Sequence, residues 1–364
     1  MAAVKLGSVA RECRQNWAGT VEGVPIVGLE HLIPEEITLS SWNSDTDNTF
    51  SKKFEKGQVL LGRRRVYLKK AAIAPFDGIC SGDITVIEAI PGKIAPELLP
   101  FIIQNDKFFD YAMQGSAGSL SPRVKWEHLK DYEFELPDIL EQRKLADKLW
   151  AAYRLKQSYK KMIEATDEMV KSRFIEMSSN WHKHGTIRDL VDDNITRASK
   201  RFAPCDIIQY IDISSVDSES NCVTSTTEYT LSNAPSRAQQ CTERGDILVS
   251  TVRPNLKNIA INQIDGDNTV ASTGFCVLRP KTGYQGLLLA YVLSEPFTKK
   301  MVAEAKGSNY PAIHDTDVLS YPITIPEESE LDKIDIFIQQ ADKSKFELKQ
   351  AIEKIDKVMR SLLQ

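Results

Sequence analysis

The 364-residue sequence contains no run of about 18 consecutive apolar residues, so no membrane-spanning helix is expected. Its opening Met1-Ala2-Ala3-Val4-Lys5-Leu6 lacks the apolar core of a secretion signal, which argues against export. The six cysteines (Cys13, Cys80, Cys205, Cys222, Cys241, Cys276) form no CxxC pair, and the five histidines lack ligand spacing. Neither a zinc site nor a disulfide framework is expected, and a reducing cytoplasm suits such a chain. Missing too are GxxxxGK[ST], a GxGxxG after a strand, HExxH and GxSxG, which removes the common signatures of phosphate-cleaving, dinucleotide-binding, metalloprotease and serine-hydrolase chemistry. A global basic signature is also absent, because the net charge is −4. Any nucleic-acid role must come from locally concentrated charge.

What is present is a repeat. Composition is that of an ordinary globular protein, and the length favours two or more domains. Gly118-Ser119 recurs as Gly307-Ser308, Pro137 as Pro326, Asp167 as Asp356 and Ser172 as Ser361, all at a spacing of 189. Upstream the spacing is 188, which sets Gly57-Gln58-Val59-Leu60-Leu61 against Gly245-Asp246-Ile247-Leu248-Val249. The same spacing matches Arg65 with Arg253, Leu68 with Leu256, Lys69 with Lys257 and Ala72 with Ala260. A period this long describes two domain-sized copies, not a solenoid.

Each copy has a mixed α/β (α+β) head followed by a long helix. The heads are placed at residues 1–137 and 178–325, and the helices at 138–177 and 326–364. Strand-like runs (Val59–Leu61, Ile84–Ile87, Ile247–Val249) alternate with turn signals such as Phe76-Asp77-Gly78. One short amphipathic helix is expected in Pro96–Met113 and another in Gln285–Glu304. In the second long helix Ile334, Ile338, Ala341, Lys345, Leu348, Ile352, Ile355, Met359 and Leu362 follow a 4-3-4-3 spacing. The first repeats it with Leu145, Leu149, Ala152, Lys156, Tyr159, Ile163, Thr166, Val170 and Arg173. Such alternation over about four heptads is a coiled-coil seam. Antiparallel pairing of the two helices within one chain is the simplest way to cover both stripes, and pairing between two chains is the alternative. The expected molecule is thus a pseudo-two-fold tandem duplication with its heads held apart by paired helices. At the polar seam positions Lys156 and Lys345, packed stems with snorkelling ammoniums are one reading and a register-fixing role is the other.

Segment 51–70 holds Lys52, Lys53, Lys56, Arg63, Arg64, Arg65, Lys69 and Lys70 against the single acid Glu55. A phosphate-facing strip needs such segregation. The second copy keeps Arg253 and Lys257 with Asn255 and Asn258 nearby; Arg forks onto guanine and Asn onto adenine in the major groove. A glycine- and hydroxyl-rich segment, Gly115–Arg123 with Ser119 and Arg123, matches Gly307–His314 with Ser308, Asn309 and Tyr310, and permits close backbone approach to a partner. Asp138, Glu141 and Lys144 superficially suggest a metal-dependent nuclease, but they fall at a helix start, where such groups would not converge.

The chain resembles the specificity (S) subunits of Type I restriction–modification systems. The resemblance rests on the duplicated head-then-helix order and on three strings: Gly245–Leu256, Gly307-Ser308-Asn309-Tyr310-Pro311-Ala312, and Leu136-Pro137 followed by Glu141-Gln142-Arg143-Lys144-Leu145-Ala146. It implies a noncatalytic protein whose two heads are target recognition domains, each reading one half of a bipartite DNA site with a fixed spacer. It also implies docking of two methyltransferase subunits that use S-adenosylmethionine to methylate adenine by base flipping, and of motor–nuclease subunits using ATP and Mg. The second copy departs from the pattern after Pro326, where Glu330-Leu331-Asp332 replaces Glu-Gln-Arg, so equivalent docking at both helices is less secure. The rival readings are a coiled-coil adaptor or a DNA-binding protein outside restriction.

Overall fold

The computed structural model describes residues 2–44, 49–116, 122–192, 194–218 and 220–363. The chain divides into two compact units, Met1–Lys160 with Ala351–Gln364, and Lys161–Gln350. The division cuts through both long helices, because each unit draws its core from a head and from one end of each helix.

In the first unit an antiparallel sheet runs in the order Ala10–Cys13, Ile84–Ala89, Val59–Gly62, Ala71–Ile73. Its central strand is apolar on both faces. Val59 and Leu61 point toward Leu99, Phe101, Phe108 and Phe109 of the helical layer, while Leu60 faces Phe54, Ala72 and Cys80. Side chains alternate across a strand, so a run buried on both sides reads as continuously apolar. Beyond Leu60 lies a small sheet of Ile26–Val27, Gly78–Cys80 and Lys52–Phe54.

The second unit repeats the plan with more strands. Its five-stranded sheet contains Ile259–Ile261, Ile247–Ser250 and Phe275–Leu278. Ile247 and Val249 pack on Leu287, Leu288, Phe297 and Met301, while Leu248 joins Ile211, Ala260 and Phe275 on the opposite face. A four-stranded sheet of Thr227–Thr230, Ile207–Ile211, Thr269–Ser272 and Ala238–Cys241 completes the head. The sheets of both heads are mainly antiparallel, with parallel pairs between Ile26–Val27 and Gly78–Cys80, between Ile207–Ile211 and Thr269–Ser272, and between Cys222–Val223 and Ile259–Ile261.

Each head is clasped shut just before its long helix. Ala2–Lys5 pairs antiparallel with Glu133–Leu136, and Lys183–Thr186 with Pro322–Ile325. The first long helix, Ile139–Ser178, then starts on Asp138, whose Oδ1 accepts from the N–H groups of Leu140 (3.0 Å) and Glu141 (3.1 Å). This is ordinary N-capping, and Glu141 pairs with Lys144 at 2.7 Å. The nuclease-like trio is a helix start.

The single helices expected in Pro96–Met113 and Gln285–Glu304 are each two helices. They run Leu99–Ile103 then Asp106–Gln114, and Gln285–Leu293 then Glu295–Glu304. The breaks fall at equivalent residues, Asn105 and Ser294, whose side chains accept from the N–H of Lys107 (2.9 Å) and Phe297 (3.3 Å). Apolar periodicity ran on across the break, and local capping chemistry overrode it.

The second long helix spans Glu328–Leu362. In the first unit its last turns (Met359, Leu362, Leu363) pack on the cluster holding Ala146, Leu149 and Tyr153 of the first helix. In the second unit its opening (Leu331, Ile334, Ile338) shares a cluster with Phe174 and Met177 from the close of the first helix. The pairing is antiparallel and within one chain. Among the seam positions Leu149, Ile334, Ile338 and Ala341 are buried, Leu145, Ala152, Ile163, Val170, Leu348, Ile352, Ile355, Met359 and Leu362 half-buried, and Arg173 exposed. Burial is deep only where a head adds a further wall to the two helices.

The seam lysines do not snorkel to solvent. Lys156 donates to Asp356 Oδ1 at 2.7 Å, and Lys345 to Asp167 Oδ1 at 3.0 Å.

Candidate nucleic-acid interface

The basic strip of the first head does not present one face. Three of its lysines are turned to internal acceptors. Lys52 Nζ donates to the Ile84 carbonyl (2.9 Å), Lys53 pairs with Glu55 (2.6 Å), and Lys70 donates to the Leu29 carbonyl (2.7 Å). Half-buried positions in and beside the sheets bring the Lys52 and Lys70 stems close to backbone carbonyls and Lys53 close to a carboxylate. Of the seven cations in this strip expected to contact DNA (all but Lys56), Lys52, Lys53 and Lys70 thus already have partners within the protein.

The arginines behave differently. Arg123 forks onto Asp83, Nε to Oδ1 at 2.8 Å and one terminal nitrogen to Oδ2 at 3.2 Å. Arg63 and Arg64 approach the same carboxylate at 3.9 and 3.7 Å. The Arg123 hydrogen bond, followed by the three positive charges, holds Asp83 below its ordinary carboxyl range. One carboxylate thus gathers three guanidiniums, on side chains 36%, 41% and 48% exposed. Planar donors held in this way suit phosphate oxygens or a guanine edge.

The second element is built twice. Arg65 and Lys69 flank the short 3-10 turn Val66–Leu68, and Arg253 and Lys257 flank Pro254–Leu256. All four adopt left-handed backbone, with φ of 52°, 50°, 50° and 49°. Non-glycine residues pay steric strain there unless surrounding contacts impose it. The imposing contacts are the same in both copies. Arg65 N–H donates to the Pro122 carbonyl (2.9 Å) and Arg253 N–H to the Pro311 carbonyl (2.7 Å). Lys69 Nζ pairs with Asp106, and Lys257 Nζ with Glu295, each acid opening the helix after the capped break. The Lys257 hydrogen bond holds the Glu295 carboxyl below its usual range. The turn tips project Tyr67, Leu68 and Leu256, which are 54%, 39% and 49% exposed.

Asn255 at the second tip is exposed, whereas Asn258 is half-buried and its carbonyl accepts from Ser250 N–H. Ser308, Asn309 and Tyr310 are exposed beside Arg253. The Arg253 guanidinium lies 4.5 Å from the Tyr310 ring centroid and donates to the Asn309 carbonyl at 3.3 Å. That stack joins a flat π surface to a cation, a suitable platform for a base or sugar-phosphate. Ser119 lies outside the described residues.

Sequence reading missed Asp83, Asp106 and Glu295. The last two carried a usable signal, since both are acidic and stand at the repeat spacing of 189. Asp83 carried none, because its partners are brought from positions 19 to 40 residues away by the fold.

Among the described residues no group of three or more His, Cys, Asp or Glu side chains is placed to hold a metal. The six cysteines are unpaired, and burial pushes Cys13 up to about 11 and Cys80 up to about 12. Such thiols are poor nucleophiles at neutral pH. No helix among the described residues is long and apolar enough to cross a membrane.

Residues 187–357 match the family model described as "Type I restriction modification DNA specificity domain". The chain is 31% identical over 128 residues to the HindI specificity subunit of Haemophilus influenzae, covering 33% of this chain and 28% of that protein. It is 26% identical over 143 residues to the EcoDI specificity subunit of Escherichia coli, covering 36% of this chain and 31% of that one. The matches thus span less than a third of these relatives' own lengths. A solved S subunit from M. genitalium shares the fold at a TM-score of 0.56 and 13% identity, over 100% of this chain and 96% of that one. A chain from a study of type I R-M assembly and conformational transition does so at 0.54 and 16%, with the same coverage. Residues 187–357 thus resemble a Type I restriction–modification DNA specificity domain, and the chain shares its mixed head-and-helix fold with these solved chains.

Proposed function

We propose that the chain is the noncatalytic DNA-recognition and scaffold subunit of a Type I restriction–modification complex. Each head reads one half of a bipartite double-stranded site, and the paired helices fix the spacer between the halves. The observation that carries this reading is the basic 3-10 turn built twice, with the same strained backbone and the same bracing contacts, in two heads whose surrounding side chains differ. A repeated scaffold with unlike surfaces suits two half-sites of unlike sequence. Arginine and lysine contacts to phosphate supply the salt-dependent affinity, and base-edge contacts supply the choice of sequence.

The scaffold role extends to partners. Two methyltransferase subunits dock on the chain, bind S-adenosylmethionine and methylate adenine flipped out of the duplex. Motor–nuclease subunits bring ATP and Mg. Nothing in this chain is asked to perform the chemistry.

The test uses the chain assembled with its methyltransferase partner. Genome-wide adenine-methylation mapping by single-molecule sequencing is expected to yield one motif of two defined halves around a fixed gap, absent when the gene is deleted. Replacing head 1–137 with that of a relative should change one half and leave the other intact. Loss of all sequence preference in the intact complex, or a change in both halves, would overturn the proposal, the former in favour of a purely structural adaptor.

A further inference from the structure

We infer that the two interhelical ion pairs, Lys156–Asp356 and Lys345–Asp167, select the register in which the long helices pair. Each pair lies inside one compact unit, and each repeats the other at a spacing of 189.

In an antiparallel pair, facing residues have numbers that add to a constant, and a different constant means a different register. Both ion pairs add to 512, although they stand 11 residues apart along each helix. The apolar seam cannot make this choice by itself. Its 4-3-4-3 spacing repeats every seven residues, so a slip of one heptad returns apolar positions to apolar positions. The charges break that degeneracy. A slip one way sets Lys156 against Lys349 and Lys345 against Lys160. A slip the other way sets Lys156 against Leu363 and Lys345 against Phe174. The first opposes like charges, and the second leaves both ammoniums without a carboxylate on the facing helix. Lys156 is only 7% exposed, so its charge is costly when unpaired. Asp342, one turn before Lys345 on the same helix, contacts that ammonium at 3.0 Å in any register, so the choice at that end rests on Asp167 of the facing helix.

These four side chains are positioning residues. A one-heptad slip moves one helix along the other by about 10 Å, roughly three base pairs of duplex. The spacer consequence rests on the proposed DNA-recognition function; the register itself does not.

The test compares the wild-type chain, bound to its methyltransferase partner, with two variants. The first replaces both pairs by leucine (Lys156→Leu, Asp356→Leu, Lys345→Leu, Asp167→Leu). The second exchanges them (Lys156→Asp with Asp356→Lys, and Lys345→Asp with Asp167→Lys). Spin labels placed through a genetically encoded handle at exposed Leu155 and Val358 report the register directly.

The leucine variant should keep or raise the melting temperature, because apolar replacement of buried ion pairs is often neutral or stabilising. It should nonetheless show a second label distance and at least a tenfold loss of discrimination between the native spacer and one altered by three base pairs. The exchanged variant should keep a single distance and native discrimination. A folded leucine variant with one unchanged distance would overturn the inference, as would an exchanged variant showing the leucine variant's second distance. Failure of the wild-type complex to prefer any spacer would instead count against the proposed function, and the label distances would still decide the register.

Discussion

The two heads share a skeleton and differ in what they mount on it. In both, a Pro carbonyl and an acid at a helix start hold a left-handed Arg and Lys around a 3-10 turn. Around that turn the first head carries Arg63, Arg64 and Arg123 on Asp83, whereas the repeat spacing puts Thr251, Val252 and Ala312 at those arginine positions. The second head has instead the Arg253–Tyr310 stack. The difference continues into the cores. Gln58 takes the Glu55 N–H at 2.8 Å where Asp246 takes the Glu243 N–H at 2.8 Å, but Asp246 is 2% exposed and also receives two bonds from Arg279. At the helix junction Gln142 accepts from Ala95 N–H in the first unit. In the second, Leu331 fills that position as a buried contact, and Asp335, one turn on, accepts from Gly286 N–H. The altered string after Pro326 is therefore a polar latch moved by one helical turn. Backbone braces are repeated where geometry must be equal, and side chains diverge where the ligand or the packing is local.

The largest expected difference between the heads lies in this buried polar layer. Asp246→Ala should destabilise the second unit by about 2 kcal/mol, because it removes a buried acceptor of two Arg279 bonds and leaves that charge only its Glu243 contact. Gln58→Ala in the first should cost about 1 kcal/mol. Urea unfolding of each variant measures both, and equal losses would erase the distinction between a charged and a neutral brace.

A smaller effect separates the recognition surfaces. Arg123→Gln should make the salt dependence of binding to the first half-site shallower by about one in log K against log salt. The second half-site should be unaffected. A parallel change at both would show that the arginine cluster is not confined to one half.

The smallest effect is on pH. Asp83 lies below its ordinary value of 3.8, with the Arg123 hydrogen bond the leading cause. Its contribution is therefore full above about pH 4 and is lost as pH falls through the lowered value. Asp315 and Asp335 in the second unit are raised above 3.8, chiefly by burial. Their contribution is full below that value and is lost as pH rises through the raised ones. Hydrogen exchange followed by mass spectrometry between pH 3 and 6 should show protection around Asp83 weakening toward acid while that around Asp315 and Asp335 strengthens.

The repeat, the seam and the recurrence of Arg65 and Lys69 as Arg253 and Lys257 were legible in the sequence because they are periodic, and periodicity survives without coordinates. The helix breaks at Asn105 and Ser294 were not, since capping is a contest between one side chain and a continuing apolar stripe. Nor could charge counting separate Lys52, Lys53 and Lys70, which face internal acceptors, from the arginines gathered on Asp83.

The amino-acid sequence by itself determined that there are two copies, that each ends in a long amphipathic helix, and that each carries a matched Arg and Lys. These follow from local pattern, which any stretch of chain expresses alone. Only the tertiary structure decided which cations are satisfied within the protein and that Lys156 meets Asp356. Those outcomes depend on groups up to 200 residues apart in the chain, and a charge acquires its partner only when folding has placed an opposite one within reach.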